Sequence, residues 1–153
     1  MRLRIRLVTL AAAVILICTS TFGETITERA EHELLASVNQ ARRSHGLAPL
    51  RWNESLALAA RRHAEVMAEH GTAQHGFEGE LDLSARVKQA GARFGSLSEN
   101  VTQGPTAEFI HAQFMNSPPH RSNILDRDMD SVGIGVVEKR GQLFAVEDFS
   151  QAR

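Results

Sequence analysis

Tyrosine is absent from this chain of 153 residues, tryptophan occurs once, and there is a single cysteine, Cys18. The scarcity of amphipathic aromatics leaves little with which to stack on sugars or to anchor at a lipid–water boundary. One cysteine excludes an internal disulfide, so the fold must be held by burial. Local metal signatures are missing too. There is no HExxH, no CxxC pair and no acidic calcium loop. A GxSxG elbow is absent, and Ser117 and His120 are separated by Pro118-Pro119, which argues against a serine nucleophile paired along a helix. Repeats, low-complexity tracts, long linkers and blocks of like charge are not seen.

The first residues carry a pattern of their own. Arg2, Arg4 and Arg6 form a basic start, and Leu7 to Ile17 follow without a charge. Small and polar residues come next, the layout of a secretory signal peptide. The apolar run is about half the roughly 20 residues that a membrane-spanning helix needs. Cleavage is expected after Ser20 or after Gly23, which makes residues 1–23 a signal peptide and 24–153 one domain, secreted or periplasmic. An uncleaved anchor is the competing reading. Acylation of Cys18 is disfavoured by the bulky Ile17 before it, and Cys18 would leave with the signal. Loss of the three arginines lowers Lys+Arg from 17 to 14 against 18 Asp+Glu, a formal charge of −4. A mildly acidic exported domain is a poor partner for nucleic acid, and the remaining chain has no membrane span.

Periodicity assigns the elements. Thr25 or Thr27 caps a helix through EHELLASVNQARR, with Leu34, Leu35, Val38 and Ala41 on one stripe. Asn53 caps a second, ESLALAARRHAEVMAEHG, which Gly71 ends. Thr72 to Gly104 reads as mostly irregular, interrupted by a short helix, SARVKQAG. Pro105 and Thr106 start another, AEFIHAQFMNS, which Pro118-Pro119 terminates; one more helical turn is expected around HRSNIL. SVGIGVVEKRGQLFAVEDFS reads as two strands, with Gly141 at a position of positive φ. Gly133 and Gly135 share one face of the first strand and mark close approach of another backbone or a ligand. The expected fold class is α+β, a three-layer α-β-α sandwich on a small, mainly antiparallel sheet.

Seven histidines invite a search for a site. His32 and His45 sit among polar neighbours and read as surface. His63 falls on the apolar stripe of the second helix, where a satisfied core histidine is expected. His70 lies at a helix C-terminus, which favours positive charge. His111 is read as structural or exposed. His75, Glu99 and His120 stand apart, each placed in a turn-rich segment at an element boundary, where functional residues concentrate.

The ordered set VNQAR, LAPLRWNESLALAARRHAEVMA, His75, Arg86 with Ala90-Gly91, SEN, FMNSPPHRSNIL, VGIGVV and FAVEDF resembles bacterial members of the CAP superfamily, the cysteine-rich secretory, antigen 5 and pathogenesis-related proteins. The resemblance covers nearly all of the chain after the signal. It implies an α-β-α sandwich with a polar central cleft and a tetrad of two histidines and two glutamates that sometimes holds a divalent cation. His75, Glu99 and His120 match three members. Ser117 stands where the second glutamate belongs, and Phe114 where a tryptophan does, so the tetrad is reduced to a triad. Glu147 replaces a usual glutamine. Asn100 is expected to fix neighbouring backbone, and Arg121 and Asn123 to anchor their loop.

Two neutral imidazoles and a carboxylate suffice to hold zinc, magnesium or calcium with an open coordination position, though a missing carboxylate weakens such a site. The alternative is a hydrogen-bonded polar network. Three functions follow, led by a module binding a small ligand or cation, with the balance against catalysis. The others are a metal-dependent, peptidase-like hydrolase and a structural or defence-related extracellular protein without a working site. A lipid or an extracellular protein is also an admissible partner; Phe77, Leu81, Leu83, Phe94, Phe109 and Phe114 could line an apolar groove or simply form core.

Overall fold

The computed structural model describes residues 24–151; the expected signal peptide, Cys18 included, lies outside them. In chain order the elements are α1 (Ile26–Ser44), β1 (Arg51–Trp52), α2 (Glu54–His70), α3 (Leu83–Gln89), β2 (Ser96–Gly104), α4 (Ala107–Asn116), α5 (Pro118–Ile124), β3 (Ser131–Lys139) and β4 (Gln142–Gln151). The strands form one sheet in the order β1-β3-β4-β2. β1 runs parallel to β3, and the other two pairings are antiparallel.

Local chemistry sets the boundaries. Thr25 caps α1 with a full capping box to Glu28. The Asn53 side chain accepts from the N–H groups of Ser55 and Leu56, and Gly71 closes α2 in the left-handed region at φ 71°. Arg140 and Gly141 both have positive φ, 54° and 76°, so β3 and β4 are joined by a tight two-residue turn.

Alternation along the strands divides the core in two. Val132, Ile134 and Val136 of β3 join Ala145 and Phe149 of β4 against α1, α4 and α5. On the other face, Phe144, Val146 and Val101 pack on Ala60, Ala64 and Met67 of α2. Gly133 and Gly135 belong to that face. Cβ atoms there would lie 2.0 Å from the backbone N of Ala57 and 2.1 Å from that of Arg61. The expected close approach is therefore the α2 backbone itself. The three layers are α1/α4/α5, the sheet, and α2/α3.

Two expectations need correcting. Thr72 to Gly104 does not stay irregular to its end, because its last nine residues form β2, paired along its whole length with β4. Its polar sequence, SLSENVTQG, hides the strand: both faces bury polar side chains, so no apolar alternation marks it. Pro118-Pro119 does not simply end a helix. α4 stops at Asn116, and the prolines open α5 at its first positions, where a missing N–H costs nothing.

Candidate functional site

β2 is an edge strand, and its neighbours Glu99 and Asn100 point to opposite faces of the sheet. The site is built around this edge.

On the α2 face, Glu99 is 7% exposed. His75 Nδ1–H donates to its Oε1 at 2.8 Å, and Arg86 Nη2 donates to its Oε2. Both oxygens are thus committed. Arg86 reaches Glu99 from α3, is itself buried, and also donates to the carbonyls of His75 and Leu81 and pairs with Glu80 at 3.6 Å. His63 of α2 is fully buried, with Nδ1 on Glu80 Oε1 at 2.6 Å and Nε2 on the Gln74 carbonyl at 2.9 Å. It is the satisfied core histidine that its place on the stripe implied, and its ring comes within 3.9 Å of Glu99. Asp148 lies opposite Glu99 in the β2–β4 register. Burial, then the Glu99 charge, holds its carboxyl well above the usual range, which disfavours a second negative charge beside Glu99.

On the other face, Asn100 is fully buried. Its Nδ2 donates to the His120 carbonyl at 3.2 Å and to Glu147 Oε2 at 3.1 Å, and its Oδ1 accepts from Asn123 Nδ2 at 2.9 Å. Asn123 also reaches the Glu99 carbonyl at 3.3 Å. Asn100 and Asn123 therefore tie α5 to β2, the backbone-fixing roles expected of them. Arg121 is exposed, and its own side chain shows no such tie among the described residues.

His120 sits within α5, and its ring meets the edge of Phe114 at 5.3 Å between centroids. His75 and Glu99 are joined directly; His120 is brought near through the strand backbone. The two histidines sense each other across the edge, since His75 is one cause of the depressed His120 pKa, after burial. His75 shifts the other way, raised chiefly by its Glu99 bond against burial and Arg86. The stability that this bond contributes is complete below the unfolded imidazole value of about 6.5 and fades as pH rises through the higher folded value. The His75 side chain is 61% exposed, so its Nε2 is open to a ligand.

Two of the three expected placements differ. Glu99 lies mid-strand and His120 in a helix, not in boundary turns; only His75 is in an irregular segment. Ser117 links α4 to α5, its carbonyl accepting from Arg121 N at 2.8 Å. Among the described residues no three His, Cys, Asp or Glu side chains group so as to hold a metal ion. Sequence reasoning missed Arg86, Glu80 and Asp148 as parts of this network. Arg86 had only its place in the resembling motif set to point to it. A hollow of about 820 Å³ near Thr25, Glu31 and Arg61 lies elsewhere.

Comparison with known proteins places this geometry. The model of the cysteine-rich secretory protein family, CAP, matches residues 35–149. The chain belongs to the CAP family. YkwD, an uncharacterised protein of Bacillus subtilis, is 28% identical over 121 residues, 78% of this CAP chain and 47% of its own. The CAP chain thus spans about half the length of that relative. Among solved structures, an extracellular protein with an SCP domain from Bacillus anthracis superposes with TM-score 0.74 at 23% identity, covering 82% of this chain and 41% of that one. An outer surface protein from Borrelia burgdorferi gives 0.75 at 19%, covering 82% and 95%. These structural relatives are by description extracellular and outer-surface proteins. No helix among the described residues is long and apolar enough to cross a membrane.

Proposed function

We propose that this CAP domain is a binding module whose site, on the edge of β2, takes a small polar ligand between the His75 and His120 rings. One observation carries the reading: Glu99 commits both oxygens to His75 and Arg86. The carboxylate thereby orients a proton-bearing imidazole and is itself withdrawn from ligation. His75, with its pKa raised, presents an N–H to a ligand acceptor. His120, with its pKa lowered, offers a neutral ring that can accept. A ligand with an acceptor beside a donor, such as a hydroxy acid or an amide, matches that pair. In this reading the protein is exported and acts outside the cell.

A divalent cation is the competing occupant, and the donor chemistry favours it less. Catalytic zinc takes three protein ligands; here the carboxylate is occupied and Ser117 stands where a second one was expected. The hydrolase reading weakens with it.

Ring resonances of His75 and His120 followed by NMR, against a panel of hydroxy acids and amides and against zinc alone, test the choice. Perturbation of both rings by a panel member, abolished in His75→Ala and His120→Ala, is the expected result. Zinc binding at about 1 μM or tighter with no response to the panel would establish the cation instead.

A further inference from the structure

Glu147 is fully buried in the middle of β4, on the face that packs against α1, α4 and α5. Its Oε2 accepts from Asn100 Nδ2, and its Oε1 has no partner. The Asn100 amide has two hydrogens, and both are used: one on Glu147, the other on the carbonyl of His120. Its oxygen takes the remaining bond from Asn123. The seven residues of α5 have no side-chain N-cap bond, so these ties to Asn100 hold the short helix in place. Glu147 and α5 thus share one amide.

We infer that Glu147 is a positioning residue for His120: its neutral carboxyl steadies the Asn100 amide that anchors α5, and its ionisation loosens that helix. The inference rests on His120 being a cleft residue. A buried carboxylate with one neutral donor and no cation is costly, and it relaxes by drawing in water or turning outward, either of which disturbs Asn100. From the elements packed on this face, the buried or half-buried charged and titratable groups are Glu31 and Arg42 on α1, His111 on α4 and His120 on α5. Glu31 is engaged by Arg61, and Arg42 by backbone carbonyls. None of the four adds a charge effect at Glu147. Burial pushes its carboxyl up to about 8, opposed only by the Asn100 bond. A folded value raised above the unfolded one means that this contribution to stability is complete below the unfolded value and is lost as pH rises through the folded one.

Native-state hydrogen exchange of the α5 amides in the ligand-free protein, corrected for intrinsic rates, provides the test. The opening equilibrium of α5 is expected to grow by up to about tenfold per pH unit between pH 5 and about 8, then level off. In Glu147→Gln, which keeps the shape and the acceptor, that rise should disappear, leaving only the fall in opening toward about pH 6.5 that the lowered His120 pKa imposes, and a second inflection, expected near pH 8 in the wild-type His120 ring, should vanish. Amides of α2 serve as the control for global opening. A flat wild-type profile, the same slope in Glu147→Gln, or α2 amides that track α5 would each overturn the coupling. Because no ligand is present, such a failure leaves the reading of the cleft untouched.

Discussion

Arg86→Met is expected to cost the fold about 3–5 kcal/mol, the penalty for removing one partner of a buried ion pair. The substitution keeps most of the stem and deletes only the head. That head is the cation beside Glu99, and it also pairs with Glu80 and donates to two backbone carbonyls. With it gone, two poorly exposed carboxylates, 4% and 12% by side chain, face each other's field with His63, His75 and the Phe77 N–H as partners. Urea unfolding followed by circular dichroism measures the loss. The pairing with Glu99→Gln separates charge from packing: the double variant should recover part of the loss, because the stranded charge is then gone. A loss below about 1 kcal/mol, the range of a solvent-exposed pair, would show that the Arg86–Glu99 contact is not the keystone of this face.

Gly133→Ala and Gly135→Ala should each destabilise by about 3 kcal/mol or more, at or beyond the upper end of ordinary overpacking. The added methyl would meet the backbone of α2: at position 133, Ala57 N at 2.0 Å and Leu56 C at 2.3 Å; at position 135, Arg61 N at 2.1 Å and Ala60 C at 2.3 Å. Backbone cannot rotate aside as a side chain does, so α2 must lift from the sheet. That movement would open the packing of Ala60, Ala64 and Met67 on Val146 and Phe144 and carry His63 away from Glu80. The double variant approaches the whole stability of a domain, about 5–15 kcal/mol, and should lose its cooperative transition. Wild-type urea midpoints for the single variants would contradict this.

The sequence announced most of what depends on local chemistry. The cap at Asn53, the stop at Gly71 and the hairpin around Gly141 follow from short-range preferences, and each is where the residues placed it; of the two candidates for the first cap, Thr25 and Thr27, it is Thr25. The spaced glycines gave away close packing because nothing but a neighbouring backbone or ligand explains them. β2 stayed hidden because Glu99 and Asn100 are polar yet buried, and a buried polar residue reads as a loop until its partners are known. Those partners lie far along the chain: Arg86 and His75 for Glu99, Glu147 and the α5 backbone for Asn100. Their setting singles out His75, Glu99 and His120, and the resemblance groups them. What it did not supply is their inequality: Glu99 is bound to His75 on one face, and His120 is carried on the other.

That inequality makes the order in which the two imidazoles titrate the most direct test. Long-range ¹H–¹⁵N NMR of the ring nitrogens across pH resolves each histidine separately. His75 is expected to titrate above the free-imidazole value of about 6.5 and His120 below it. Glu99→Gln should bring His75 down, since the Glu99 bond is the largest cause of its rise. Titration of His120 above His75, or a His75 value indifferent to Glu99→Gln, would contradict a site in which the carboxylate orients one ring and leaves the other neutral.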